Sequence, residues 1–443
     1  MKRHIEKKLE AWKQNPRRKP LLIRGARQVG KTYTVRQFAK KFRTYAEVNF
    51  ELLNEAKEIF KTDLMPDRII RDISLLIQVK IIPGETLLFL DEIQEAPEAL
   101  TALRYFYEIM PELHLVAAGS LLEFQVEKTG IPVGRVTTMY MYPLSFAEFL
   151  TAGGNDDYLP VIGEVLQKNR INKAIHNRLA RLSGEYIAIG GMPEAVSCWT
   201  ETKDYRECLG IHRGLIETFR QDFGKYSKKH QIRYVEKLFN EVPHLLGRKF
   251  KFPAISGEYR RRELEPALDL LQKAGILHKV YHTSGQGLPL GADINFNRYK
   301  MIFLDIALSQ AVLNMEMASW ILKPLEQIVN RGAVAEAFAG QELIADSDAD
   351  MKAQLCYWHR EARSSNAEVD YLIVNHDGII PVEIKSGKEG TLKSMKRFLE
   401  EHPGSPYGIR FYGGKPHEAD NIRSYPLYCV AGLSSRSICT DQG

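Results

Sequence analysis

Short apolar runs alternate with stretches of helical periodicity through residues 1–150. Leu21-Leu22-Ile23-Arg24 is an apolar run that leads into a glycine-containing loop, and 31–42 then has helical character. Residues 45–50 read as a strand, 86–91 as a fully buried strand, 98–110 as a helix and 113–118 as another strand. Apolar strands separated by helices need cover on both faces, so the pattern predicts an α/β core with a parallel sheet.

From about 155 to 226 the pattern turns helical, broken by Gly190-Gly191-Met192-Pro193. Between 231 and 313 it predicts a helix over 233–246, a helix over 262–274 capped by Gly275, a strand at 277–283, a loop at 284–291 and a strand at 300–304. Helix, helix and two strands is the order of a winged helix. From about 325 a helix at 332–345 precedes two strands, 369–374 and 379–384, joined by a turn at His376-Asp377-Gly378. A helix over 391–401 follows. The expected division is an α/β core at 1–154, a helical lid or linker at 155–230, a winged-helix-like unit at 231–324 and a tail domain at 325–443.

Composition narrows the class. A chain of 443 residues, 44% hydrophobic and 26% charged, is globular, with length for about two to four domains. Its apolar runs fall short of the roughly 20 residues a membrane helix needs, and the opening MKRHIEKKLEAWKQ reads as an amphipathic helix. The expectation is a cytoplasmic protein with no membrane partner. The five cysteines make no C-x-x-C pair, so neither a zinc site nor a disulfide framework is indicated. A net charge of +6 permits nucleic-acid binding without requiring it.

Gly25-Ala26-Arg27-Gln28-Val29-Gly30-Lys31-Thr32 fits G-x-x-x-x-G-K-[ST] and lies between an apolar run and a helix. Such a loop turns successive N–H groups toward one point at a helix N-terminus, where phosphates are stabilised. Lys31 adds a cation for the β- and γ-phosphates and Thr32 a hydroxyl for Mg²⁺, so the expected ligands are ATP and Mg²⁺. Leu87-Leu88-Phe89-Leu90-Asp91-Glu92 delivers two carboxylates at the C-terminal end of a buried strand. Asp91 is expected to hold Mg²⁺ and Glu92 to activate the attacking water. Ser120, after Leu115-Val116-Ala117-Ala118-Gly119, is either a sensor of the γ-phosphate or part of an ordinary Gly-Ser turn.

Residues 25–32 and 87–94, with Ala118-Gly119-Ser120, Gly134-Arg135 and Tyr142-Pro143-Leu144-Ser145-Phe146-Ala147-Glu148-Phe149, resemble the AAA-type ATPases of bacteria and archaea. Gly190-Gly191-Met192-Pro193-Glu194-Ala195 and 262–271 resemble the uncharacterised C-terminal region these proteins carry. The resemblance implies an AAA-like core, a helical and winged-helix middle, and a tail of restriction-endonuclease-like α/β fold. It also implies an arginine supplied from a lid or a second copy of the chain, for which Arg135 is the candidate. A homo-oligomer, DNA and a protein partner are the partners it leaves open.

The tail places Asp370 in one strand of the expected hairpin, with Glu383 and Lys385 on one face of the next because they are two residues apart. That set resembles a metal-dependent nuclease core, to which Glu336 on the preceding helix would add a third acid. A second Mg²⁺ or Mn²⁺ is expected there if the site is a nuclease. A catalytically idle fold that binds nucleic acid or a partner is the alternative.

Overall fold

The structure is a computed structural model and describes residues 1–433 apart from 131, 133, 363–364 and 386–391. Ser386 and Gly387, which follow Lys385, and Cys439 lie outside the described residues. Five parallel strands form the first sheet, in the order β2-β3-β4-β1-β5. They are β1 (Leu21–Arg24), β2 (Thr44–Asn49), β3 (Thr86–Asp91), β4 (His114–Gly119) and β5 (Thr137–Tyr140). Every residue of β3 and β4 is buried, for a simple reason. Leu87 and Phe89 point into one apolar layer and Leu88 and Leu90 into the other, so each alternate position meets helices. The helix Ile5–Gln14 buries Ile5, Leu9 and Trp12 against one of these layers.

Four helices follow the core: Tyr158–Lys168, Lys173–Ile189, Pro193–Thr202 and Tyr205–Tyr226. The break at Gly190-Gly191-Met192-Pro193 is imposed by packing as well as by local preference. A Cβ on Gly191 would stand 2.2 Å from the Leu144 carbonyl oxygen. Only glycine lets the backbone pass there, and Leu144 N–H donates to the Gly191 carbonyl at 2.7 Å.

The second sheet has eight strands in the order β12-β13-β11-β10-β9-β8-β6-β7 and mixes parallel and antiparallel pairs. Its members are β6 (Leu277–Thr283), β7 (Ile294–Phe303), β8 (Leu355–Ala362), β9 (Ser365–Asn375), β10 (Gly378–Ile384), β11 (Gly408–Tyr412), β12 (His417–Ala419) and β13 (Ile422–Pro426). The helix pair Ile232–Glu241 and Arg261–Lys273 precedes the β6–β7 hairpin, as the helix-helix-strand-strand order anticipated. β6 also pairs in parallel with β8, so the hairpin and the tail share one sheet.

Several elements differ from the pattern-based expectation, among them the following. The helix expected to run to 246 gives way after Glu241 to a 3-10 turn, Val242–Leu245, where Pro243 has no N–H to continue the ladder. β7 begins at Ile294, before its expected start, because Ile294 and Asn295 pair with Thr283 and His282 of β6, across a register shift that leaves the exposed Phe296, Asn297 and Arg298 between them and Tyr299. β8 had no predicted counterpart. Among the described residues, no helix is long and apolar enough to cross a membrane.

Candidate functional site

The loop at 25–32 curls at the C-terminal end of β1, and Gly30 adopts φ +93° where it caps the helix Lys31–Ala39. With no Cβ it takes this left-handed conformation freely, and the Pro193 ring packs just outside it. The Lys31 ammonium is turned back onto the loop and donates to the carbonyls of Gly25 at 3.0 Å and Ala26 at 2.8 Å. Burial pushes its pKa down to about 8, against a smaller upward pull from Glu92 and Asp91. A buried ammonium held only by carbonyls is under-compensated, which suits it to receive phosphate oxygens.

Thr32 Oγ1 donates to Asp91 Oδ2 at 2.9 Å, joining the loop to the end of β3. A hydroxyl and a carboxylate side by side form the hard oxygen set that Mg²⁺ prefers, so these two residues fit the metal that accompanies a nucleotide. Asn49, at the end of neighbouring β2, also donates to Asp91 Oδ2, at 3.1 Å. Burial raises the Asp91 carboxyl, and the Thr32 hydrogen bond pulls the other way.

Glu92 leaves the strand with φ +51°, which swings its side chain off the sheet toward the loop. Its Oε2 accepts from Gln94 Nε2 at 2.6 Å and from Ser120 Oγ at 3.4 Å. Ser120 thus touches the acid expected to act on water. Arg27, Gly30, Lys31, Thr32, Glu92 and Pro193 are among the residues lining a cleft of about 670 Å³ beside the loop. Arg135 is not in that lining. It is exposed and its Nε meets Glu108 at 3.2 Å.

Two further arginines brace the loop. Arg3 is buried, contacts Glu148 at 3.0 Å and donates to the carbonyls of Val29 at 2.8 Å and Tyr142 at 2.7 Å. Arg27 Nη1 lies 2.9 Å from both oxygens of Asp222 on the helix Tyr205–Tyr226. The glycine break meets the same region: Gly191 N–H donates to the buried Asp305 carboxylate at 2.6 Å, just after β7. The phosphate loop therefore touches the helical region through Arg27 and Pro193, and the helical region touches the second sheet through Gly191.

The tail acids converge differently from the expectation. Lys300 of β7 is buried, with Nζ 2.8 Å from Glu336, 2.5 Å from Glu368 and 3.4 Å from Asp370. Asp370 spends its other oxygen on the Ile384 N–H at 2.8 Å. Glu383 is buried, with Oε1 2.5 Å from Lys385 and Oε2 without a hydrogen-bond partner. Burial lowers the Lys300 pKa, but Glu336, Asp370 and Glu368 outweigh it and hold the ammonium well above its usual range. Burial and Asp370 together push Glu336 up to about 8, so the lysine is the charged member of the pair. Among the described residues no group of three or more His, Cys, Asp and Glu side chains is arranged to hold a metal.

Asn49, Gln94, Arg3 and Lys300 were not singled out by sequence reasoning. Lys300 carried a signal: one lysine beside Met301-Ile302-Phe303 in an apolar strand must find a buried anion. Gln94 sits two residues after the second acid, close enough to fold back on it. Nothing local marks Asn49 or Arg3.

Comparison with known proteins agrees with this geometry. Residues 17–150 match an AAA domain family. Residues 181–319 and 331–429 match two domains of unknown function, DUF8612 and DUF4143. An uncharacterized protein of Methanocaldococcus jannaschii is 21% identical over 290 residues, covering 62% of this chain. The chain spans 60% of that relative's length. Among solved structures, a Walker-type ATPase of Pyrococcus abyssi is 17% identical over 70% of this chain and 94% of its own, with a TM-score of 0.44. The Orc1 protein of Aeropyrum pernix, in complex with DNA, is 14% identical over 72% of this chain and 94% of its own, with a TM-score of 0.28. The N-terminal third of the chain is thus an AAA-like P-loop domain with the fold of a nucleotide-binding ATPase.

Proposed function

We propose that this protein hydrolyses Mg-ATP and that its nucleotide state is passed to the C-terminal half. The observation that carries the proposal is the join between Thr32 and Asp91 at 2.9 Å, with Glu92 oriented beside it by Gln94 and Ser120. Lys31 would exchange the Gly25 and Ala26 carbonyls for phosphate oxygens. Thr32 and Asp91 would hold Mg²⁺, which neutralises phosphate charge when bound. Glu92 orients the attacking water and takes its proton, with Gln94 and Ser120 fixing which carboxylate oxygen faces it. Arg135 is proposed to complete the site of a second copy of the chain.

Transmission has a physical route. Arg27 belongs to the phosphate loop and pairs with Asp222, while Pro193 packs on Gly30 and leads back to the Gly191–Asp305 contact. A change in the loop on nucleotide binding strains both links. The helix pair at 232–273 with β6–β7 is proposed as a winged-helix-like unit, and the tail as a restriction-endonuclease-like fold. Nucleic acid is the proposed partner class, because Arg260, Arg261 and Arg262 stand at the start of the second helix. A second reading, a nucleotide switch whose tail docks a partner and cuts nothing, is favoured by Lys300 among the tail acids.

The test is ATP turnover with and without duplex or single-stranded DNA. Glu92→Gln is expected to bind ATP and to lose about 10²–10⁴-fold in kcat. Wild-type turnover by that variant would reject Glu92 as the base. Turnover unchanged by either form of DNA would reject a nucleic-acid-coupled role.

A further inference from the structure

We infer that the ammonium of Lys300 is the resident cation of the tail's acidic centre, in the place a divalent metal would take in a nuclease of this outline. The inference stands apart from the ATPase reading and bears on what the second sheet can do. It rests on geometry across three elements. Lys300 comes from β7, Glu336 from the helix Gly332–Ala345, and Glu368 and Asp370 from β9. These are separate in sequence, and their carboxyl groups meet within 3.4 Å of one nitrogen.

Distances and charge agree. An ammonium is satisfied by oxygens near 2.8 Å, whereas Mg²⁺ draws its ligands to about 2.1 Å in an octahedron. Glu336, Glu368 and Asp370 lie at 2.8, 2.5 and 3.4 Å from Nζ, so the ammonium itself makes hydrogen-bond and ion-pair contacts with all three. Asp370 turns its second oxygen to a backbone N–H and not to Glu383. Lys249 lies 3.6 Å from Glu368, and Lys385 lies 2.5 Å from Glu383. Three ammonium groups therefore face the four carboxyl groups, which leaves a divalent cation little charge to compensate. The Lys300 ammonium also stands 5.3 Å from the Tyr357 ring centroid of β8, a further contact that keeps it in place.

The consequence is a tail that uses its acids as a joint. Lys300 fastens the β6–β7 hairpin to β9 and to the helix Gly332–Ala345 by charge, so a motion of the hairpin carries the tail with it. The same ammonium blocks metal-dependent cleavage at this centre.

The experiment is Mn²⁺ titration of the full chain without nucleotide, by calorimetry and thermal shift, with Asp91→Asn in every protein to silence the phosphate-loop metal. The protein with its native tail is expected to show the same weak Mn²⁺ response as Asp370→Asn/Glu383→Gln. Lys300→Met is expected to gain about tenfold or more in Mn²⁺ affinity, lost again on adding Asp370→Asn. Tight Mn²⁺ binding by the native tail that disappears in Asp370→Asn/Glu383→Gln would overturn the inference. So would a folded Lys300→Met protein with no gain. If Lys300→Met does not fold, the native-tail arm decides: Mn²⁺ binding that needs Asp370 and Glu383 refutes, and a response equal to that of the double variant supports.

Discussion

Lys31→Met separates the two demands placed on the phosphate loop. Burial lowers the Lys31 pKa from 10.5 to about 8. At about 1.4 kcal/mol per pH unit, that fall corresponds to a destabilisation of about 3 kcal/mol while the ammonium stays charged. The hydrogen bonds to Gly25 and Ala26 offset part of it, at about 1 kcal/mol each. Methionine keeps the length and the apolar stem without the charge. The nucleotide-free variant should therefore be more stable than wild type by roughly 1–2 kcal/mol at neutral pH. The pH dependence has a definite sign. A lysine with a folded-state value below its unfolded one weakens the fold fully below about 8, and the weakening is relieved between about 8 and 10.5. The advantage of the variant should shrink across that window. Urea unfolding without nucleotide at pH 7 and pH 9.5 measures both effects, and ATP-induced thermal shift measures the opposite cost. Lys31→Met should lose about 100-fold or more in ATP affinity, because the loop cation is gone. A variant less stable than wild type at pH 7, or one whose stability difference is the same at both pH values, would refute the argument.

Gln94→Ala should lower kcat about tenfold with ATP affinity unchanged, since it removes a positioning hydrogen bond from Glu92 and touches no phosphate. Steady-state turnover beside a fluorescent-nucleotide titration reads the split. Arg135→Ala should lower turnover and spare ATP affinity, and mixing it with Glu92→Gln should restore part of the activity if the arginine acts across copies. Hetero-oligomers that form without any recovery would place Arg135 outside the site. Gly191→Val should destabilise the protein by about 3 kcal/mol or more, because its Cβ would fall 2.2 Å from the Leu144 carbonyl oxygen. A melting temperature within a degree or so of wild type would show that the backbone can move aside.

The ATP site could be read from the chain because its chemistry is local. The loop at 25–32 needs its glycine, lysine and threonine at fixed offsets, and β3 needs four apolar residues before Asp91 and Glu92. Buried strands and amphipathic helices announce themselves by period, so the parallel core, the helical region and the β9–β10 hairpin were all legible. What pattern could not supply was any relation set by distant parts of the chain. Residues 295–298 of β7 are exposed and lack an apolar alternation pointing to a core, and β8 had no predicted counterpart. Both are strands through the partners they pair with.

The same division runs through the sites. Asp91 and Glu92 were found as a pair of acids, but Asn49 and Gln94, which bind them, come from another strand and from a turn whose direction is a tertiary fact. In the tail, Asp370, Glu383, Lys385 and Glu336 were each identifiable as residues capable of metal chemistry. The cation that Glu336 and Asp370 meet is Lys300, 36 and 70 residues away along the chain, while Glu383 meets Lys385. Spacing along a strand says which side chains share a face. Which cation stands before that face depends on how the sheet brings β7 to it, and that is a property of the packed molecule alone.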